Sequence, residues 1–534
     1  MSRTPLGAPT LIGCGPTDSA PPSPAAIGFK AHNLARMARI GLPVPPAFVI
    51  DTHWCTMPER LTRDVWQPAL AELERVTRLC YGDPRRPLLL SVRSGAAVSM
   101  PGMMSTLLNV GLTDTTLPGM LRLTGNPRLA WDAYRRLIAG YGETVLGLDA
   151  AAFEADMAAV AGGRAERELD FAELRSLAGR HLATVQRLHG RPFPQDPIAQ
   201  LEGAVAAVFA SWHGDKARAW RRMHEIDDAI GTAVTVQRMV FGNGGGLSGA
   251  GVGFTRHPST GEPEPWIDFL FESQGEDVVS GRRSAPGPDA LASVAPRVWD
   301  ELLQATHRLE AEFGDMQDFE FTVEDARLYL LQTRAGKRTP QAAARIALDL
   351  LDAGTIDRAE ALRRTAGLDE RSLAQTRVVA DEGSPATAIA RAASACTGVA
   401  SGEIAFDQAG VRERTARGAA AILLRPDAET RDIEALDSAA GLLTMRGART
   451  SHAAVVARQL GKVCLVGCDA LQIDLAARTA RIGDQSYREG DVLTLDGNTG
   501  CVYAGAVRTA TEVPQDLLRR LESLRDASDA SASA

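Results

Sequence analysis

Paired cysteines, an excess of positive charge and long apolar runs are all missing from this 534-residue chain. Its seven cysteines, Cys14, Cys55, Cys80, Cys396, Cys464, Cys468 and Cys501, are odd in number and scattered, with no CxxC spacing. That argues against a disulfide framework or a zinc site and for reduced thiols. Cys464 and Cys468 lie in the apolar run KVCLVGC, which reads as buried packing. Lys plus Arg number 58 against 66 for Asp plus Glu, a net charge of -8, so the chain lacks the basic footprint of a nucleic-acid binder. No 18-residue apolar run is present, so no membrane span is expected. The opening MSRTPLGAPTLIGCGPTDSAPPSP has no basic segment followed by an apolar one. It is not read as a secretory signal, and the cytoplasm is the expected location. Aromatics are scarce at 5%, while glycine is plentiful at 50 residues, which suits helices packed through small side chains.

The length calls for about three domains. Residues 1–24, rich in Pro, Gly and Ser, read as a loose lead-in. Lys30 to Ile40 reads as a helix with Leu34, Met37 and Ala38 on one face, stopped by GLPVPP and followed by the short strand AFVI. PLLLSVRSG (87–95) reads as one buried strand, and the pattern from about 114 to 230 is mainly helical. Strand signals return at 232–242, 252–256, 266–274, 318–323 and 327–334. A helical connector covers 339–364, and a second α/β unit starts near 380. The chain closes with a charged helical stretch and a Ser/Ala tail read as disordered. The fold class is mixed, α/β (α+β).

Three segments carry candidate chemistry. GNGGGLSGAG (242–251) is flanked by apolar strands and reads as a strand–loop–strand hairpin. Its glycines, Gly242, Gly244, Gly245, Gly246, Gly249 and Gly251, with Ser248, suit backbone N–H contacts to phosphate. No GKS or GKT is present and no helix follows, so it is neither a Walker loop nor a dinucleotide fingerprint. The composition equally suits a flexible surface hairpin. In DFEFTVEDARLYLLQTR (318–334), period-two alternation puts Asp318 and Glu320 on one face and Phe319 and Phe321 on the other. Gln332 and Arg334 share a face of the next strand, and a short turn brings Glu320 about opposite Gln332. Carboxylate and amide oxygens beside an arginine suit Mg²⁺ with a polyphosphate, although a polar face with a surface ion pair would show the same pattern.

The third segment is TMRGARTSHAAVVARQLGK (444–462). A strand runs into a Gly-containing loop and then a helix capped by Thr450 or Ser451. Ala453, Val456, Ala457 and Leu460 form the expected buried stripe, and Gly461 the stop. His452 falls in the first turn, where the helix dipole favours neutral, nucleophilic imidazole and later an attached phosphoryl group. A helix-terminal histidine can also be purely structural.

These residues resemble those of the pyruvate, phosphate dikinase family, within the wider group of phosphoenolpyruvate-utilising enzymes with a phosphohistidine domain. The resemblance is nearly collinear from about residue 27 to about 507 and includes NLARMARIGLPVPPAFVI, SVRSGAAVSMPGMMSTLLNVGL, SGAGVGFTRHPSTGE, ESQGEDVVSG, MQDFEFT, LLQTRAGKRT and TSHAAVVARQLGKVCLVGC. It implies an ATP-grasp nucleotide domain over 25–338 with a helical insertion at about 114–230, a helical linker over 339–379, a swivelling phosphohistidine domain over 380–507 and a final linker over 508–534. It further implies that Lys30 and Arg93 bind ATP phosphates, that the loop from Gly242 to Gly251 closes over them, and that Asp318, Glu320 and Gln332 hold Mg²⁺. Arg334 would stabilise charge on the transferring group. His452 would be the nucleophile, with AMP and pyrophosphate as products and phosphate as a second substrate. Thr450 occupies a position that plant members of the family phosphorylate. The family's GGKG reads IGFKA here, FTRDPSTG reads FTRHPSTG with His257, and a Gly-Gly pair reads Gly447-Ala448. The family's C-terminal barrel finds no counterpart in these 534 residues, so the expected activity is the nucleotide half-reaction, with the acceptor site on a separate barrel-domain protein. A different acceptor, or a silent regulatory ATP-binding module, are the alternatives.

Overall fold

The chain was analysed in a computed structural model that describes residues 7–16, 19–98, 100, 104–275, 278, 289–379, 387–427, 432–447, 449 and 452–532. Contacts divide it into two units, Met1–Gly246 with Tyr329–Thr333, and Leu247–Leu328 with Arg334–Ala534.

The first unit is built on a five-stranded sheet in the order Thr10–Ile12, Ala47–Ile50, Ala233–Arg238, Leu90–Gly95, Thr106–Val110, every neighbouring pair antiparallel. Val234, Thr235 and Val236 place β-branched side chains on the buried central strand. Thr10–Ile12 corrects the loose lead-in. Ile12 is buried at the sheet edge, and Trp54 Nε1 donates to the Gly7 carbonyl at 3.2 Å, so apolar contacts outweigh the Pro/Gly/Ser composition around them. The expected strand 87–95 breaks at Leu89, whose carbonyl accepts from Met239 N at 2.9 Å; Leu90–Gly95 alone joins the sheet. The helical insertion is present as Leu117–Thr124, Pro127–Thr144, Ala150–Ala161, Phe171–His189, Pro197–Ser211 and Asp215–Met223. Asn126, Asp149, Asp170 and Asp196 each cap a helix start through a side-chain oxygen.

In the second unit Gly249–Phe254 lies between Gln317–Glu324 and Trp266–Phe271, again antiparallel, with Trp266–Phe271 at the edge. Gln317–Glu324 turns through Asp325 and Ala326, both with positive φ (48° and 60°), into Arg327–Ala335, the twist that a two-residue hairpin turn requires. The hairpin expected across 242–251 does not form, because Ala233–Arg238 and Gly249–Phe254 belong to different sheets.

The connector folds as Pro340–Asp352, Arg358–Arg364 and Glu370–Leu373. It packs through Leu348, Ala361 and Leu373 on Leu517, Leu521 and Leu524 of the C-terminal helix Gln515–Ala532. The Ser/Ala tail read as disordered is helical as far as Ala532, continuing the helix that Leu517, Leu521 and Leu524 anchor to the connector. Gln375–Val378 and Thr509–Glu512 pair antiparallel, so the chain enters and leaves the C-terminal α/β region side by side. That region holds an eight-stranded sheet whose middle strands, Val399–Ala405, Ala421–Arg425, Gly441–Thr444 and Val463–Val466, run parallel. Cys396, Cys464 and Cys468 are buried in its core, and every cysteine of the chain is a free thiol.

Candidate active site

Lys30 is the second residue of the helix Phe29–Arg39 and is exposed. Its position is set by Gly28, at φ 78°, where a Cβ would fall 2.1 Å from the Gly95 carbonyl oxygen. Only glycine permits that approach, and Phe29 N then donates to the Ala96 carbonyl at 2.8 Å. The lysine helix is thereby pinned to the end of the strand that carries Arg93. Gly28 is the glycine this contact needs; Phe29 and Ala31 lie within the helix, where other residues are admitted. Asn33 of the same helix donates to the Thr333 carbonyl at 2.9 Å, which fixes the neighbour of the buried Gln332.

The glycine-rich segment divides. Gly242, Gly244, Gly245 and Gly246 precede Leu247, and Gly245 and Gly246 have positive φ with open space or only the far end of Asn126 around them. Asn126 Nδ2 donates to the Gly244 carbonyl at 3.3 Å. Gly249 and Gly251, expected in the loop, are buried strand residues. A Cβ on Gly249 would sit 2.2 Å from Phe269 Cζ, and one on Gly251 2.3 Å from Phe321 Cζ. Their missing side chains seat aromatic rings. Ser248 is fully buried, and its hydroxyl accepts from Asp325 N at 3.1 Å, clasping the turn that follows Glu324.

Asp318 and Arg334 meet. Arg334 Nε donates to Asp318 Oδ2 at 2.8 Å. Burial raises the Asp318 pKa and Arg334 pulls it down, leaving a net rise. Glu320 is half-buried on the same face, with Phe319 and Phe321 buried on the other, as the alternation predicts. Among the described residues no group of three or more His, Cys, Asp and Glu could hold a metal ion.

His452 opens the helix His452–Gln459. Thr450 and Ser451, the expected caps, and the side chains of His452 and Ala453 lie outside the described residues. The C-terminal stop is as expected, since Gly461 has φ 64° and its N–H and that of Lys462 return to Arg458 and Ala457. The buried stripe is displaced: Ala454 and Ala457 are fully buried and Val456 is half-buried, but Leu460 is exposed, because the turn at Gly461 carries it off the packed face.

Three residues to which sequence reasoning gave no role lie on or beside this helix. Arg449, three residues before His452, donates from Nε to Asp268 Oδ1 at 3.0 Å and from a terminal nitrogen to the Ile267 carbonyl at 3.1 Å, with its guanidinium 4.8 Å from the Trp266 ring centre. Asp268 is completely buried. Arg458 is also buried and donates to the Ala395 carbonyl at 2.6 Å and the Arg449 carbonyl at 3.4 Å; its Nε and other terminal nitrogen have no partner among the described residues. His257 lies against Trp266 at 3.8 Å between ring centres, and its Nδ1 accepts from Ser259 N and Thr260 N. Burial and the charges of Arg458 and Arg449 push its pKa down to about 3.

Residues 55–291 match the family described as "Pyruvate phosphate dikinase, AMP/ATP-binding domain", and residues 418–500 match "PEP-utilising enzyme, mobile domain". Both descriptions come from the class of phosphoenolpyruvate-utilising enzymes. Among curated proteins, the pyruvate, phosphate dikinase of Clostridium symbiosum is 41% identical over 499 residues, covering 90% of this chain and 56% of that protein. That of Rhizobium meliloti (strain 1021) is 40% identical over 520 residues, 93% and 58% of the two chains. Pyruvate, phosphate dikinase 2 of Zea mays is 40% identical over 489 residues, 90% and 55%. The chain belongs to the pyruvate, phosphate dikinase family. It spans a little over half the length of these relatives.

Proposed function

We propose that this protein is an ATP-dependent phosphotransferase that phosphorylates its own His452. The carrying observation is that the helix begins at His452 and that the loop before it is fastened, through Arg449, to the sheet that also holds Asp318. On this reading an imidazole nitrogen attacks the β-phosphorus of ATP, the bond from that phosphorus to the α–β bridging oxygen breaks, and AMP leaves. Inorganic phosphate then takes the γ-phosphoryl group as pyrophosphate, leaving phosphohistidine. Residues 25–338 are read as an ATP-grasp nucleotide domain, with Lys30 and Arg93 taking phosphate oxygens and Gly242, Gly244, Gly245 and Gly246 lending backbone N–H groups. Asp318, Glu320 and Gln332 are the residues that would hold Mg²⁺, which would neutralise phosphate charge. Arg334 would stabilise charge on the transferring group. A helix N-terminus in general disfavours an imidazolium and favours an attached anionic phosphoryl group. The paired strands Gln375–Val378 and Thr509–Glu512 suit a pivot about which the histidine domain swivels towards its acceptor, for which the relatives' name supplies pyruvate.

The test is incubation with phosphate, Mg²⁺ and ATP labelled at the β-phosphorus. An acid-labile, base-stable label on the wild-type chain, matched by AMP release and absent from His452→Ala, is the expected result. An unlabelled wild-type chain with no AMP formed would end this reading.

A further inference from the structure

We propose that Arg449 is a positioning residue, whose guanidinium seats the loop bearing His452 on the edge strand Trp266–Phe271. The inference rests on the phosphotransfer reading above for its consequence, but the seat itself is a matter of geometry. Three different interactions converge on one side chain: an ion pair with Asp268, a hydrogen bond to the Ile267 carbonyl and the face of Trp266. They come from three successive residues of a strand that lies 181 positions away in sequence. An edge strand presents backbone groups with no neighbouring strand to take them, and Arg449 occupies one. From the other side, the Arg449 carbonyl accepts from Arg458, and Arg458 also holds the Ala395 carbonyl inside the C-terminal sheet. The residue therefore ties the helix to the strand, backbone to one and side chain to the other.

The seat constrains His452 strongly. Three residues of chain span at most about 10 Å, so fixing Arg449 confines where the imidazole can reach. The seat is also releasable, because the Arg449 side chain keeps 25% of its surface in solvent although Asp268 keeps none. Lysine is a poor substitute, since a point charge cannot serve carboxylate, carbonyl and ring face in one plane.

The experiment compares wild type, Arg449→Met, Arg449→Lys, Asp268→Asn and the double variant Arg449→Met/Asp268→Asn. Three quantities are measured: the single-turnover rate of His452 labelling, ATP affinity, and hydrogen exchange of the Trp266–Phe271 amides. We expect Arg449→Met to slow labelling at least tenfold with ATP affinity unchanged within twofold, Arg449→Lys to recover only part of the rate, and the double variant to be no slower than Arg449→Met. Amides of the edge strand should exchange faster in Arg449→Met. Wild-type labelling in Arg449→Met, or losses that multiply in the double variant, would overturn the proposal while leaving the phosphotransfer reading standing. If the wild-type chain takes no label, that reading fails instead. The exchange measurement then decides the seat, and unchanged protection of Trp266–Phe271 sinks it.

Discussion

Two arginines of the second unit are buried almost equally, Arg256 with 7% of its surface exposed and Arg458 with 2%, yet they are solvated by protein in opposite ways. Arg256 follows the strand Gly249–Phe254. It meets Glu310 of the helix Pro296–Phe313 through Nε and a terminal nitrogen, at 2.8 and 2.7 Å, and Asp349 of the helix Pro340–Asp352 at 3.0 Å. Burial alone would lower its pKa, and the two carboxylates more than reverse that. Among the described residues Arg458, on the His452 helix, meets two carbonyls and the Phe254 ring, 5.2 Å from its guanidinium carbon, and burial lowers its pKa. One guanidinium is a completed strut between a sheet and two helices. The other leaves polar groups incompletely matched among the described residues.

The sharpest way to break this contrast is to remove each charge. Arg256→Met removes the guanidinium from Glu310 and leaves Asp349 its ion pair with Arg520, and breaking such a buried pair costs about 3 kcal/mol where the partners retain some solvent contact. The urea midpoint of the second unit should fall accordingly; a shift near zero would mean the strut carries nothing. Arg458→Met gives up two hydrogen bonds to carbonyls, about 1 kcal/mol each, and gains by no longer burying a half-solvated cation. Its stability should stay within about 1 kcal/mol of wild type. A loss as large as that of Arg256→Met would show that Arg458 is as well matched as its counterpart, and the distinction would fall.

Local periodicity explains what could be read in advance. The period-two run MQDFEFT separates Asp318 and Glu320 from Phe319 and Phe321 without knowledge of any neighbour, and the strand bears that out. The helix at His452 and its stop at Gly461 follow from the same kind of local signal. Gly249 and Gly251 were read as phosphate contacts because their role depends on Phe269 and Phe321, rings from two other strands. The Arg449–Asp268 pair has no local signature, since its two members lie 181 positions apart in sequence. Leu460 was assigned to the buried stripe by helical spacing, which fails where the turn at Gly461 redirects the chain. Local order was legible, then, wherever a residue's role depends on its own element, and illegible wherever it depends on another.

His257 offers the finest probe of the same surface, because it sits beside both arginines of the His452 segment. Its Nδ1 accepts two backbone N–H groups of the turn at Ser259 and Thr260, which requires that nitrogen to be unprotonated. Burial, Arg458 and Arg449 hold the ring neutral down to about pH 3, while in the unfolded chain it takes a proton near the ordinary value of 6.5. Between those values the unfolded state binds the extra proton, so stability is lost as pH falls below 6.5, by at most about 1.4 kcal/mol per pH unit. Asparagine at this position keeps an oxygen acceptor for the turn and cannot titrate. His257→Asn should therefore match wild type at pH 7 and lose less stability than wild type between pH 6.5 and 5, in denaturant titrations across that range. Parallel curves would mean that His257 takes its proton in the folded chain as readily as in the unfolded one, and that the two guanidinium charges do not reach its ring.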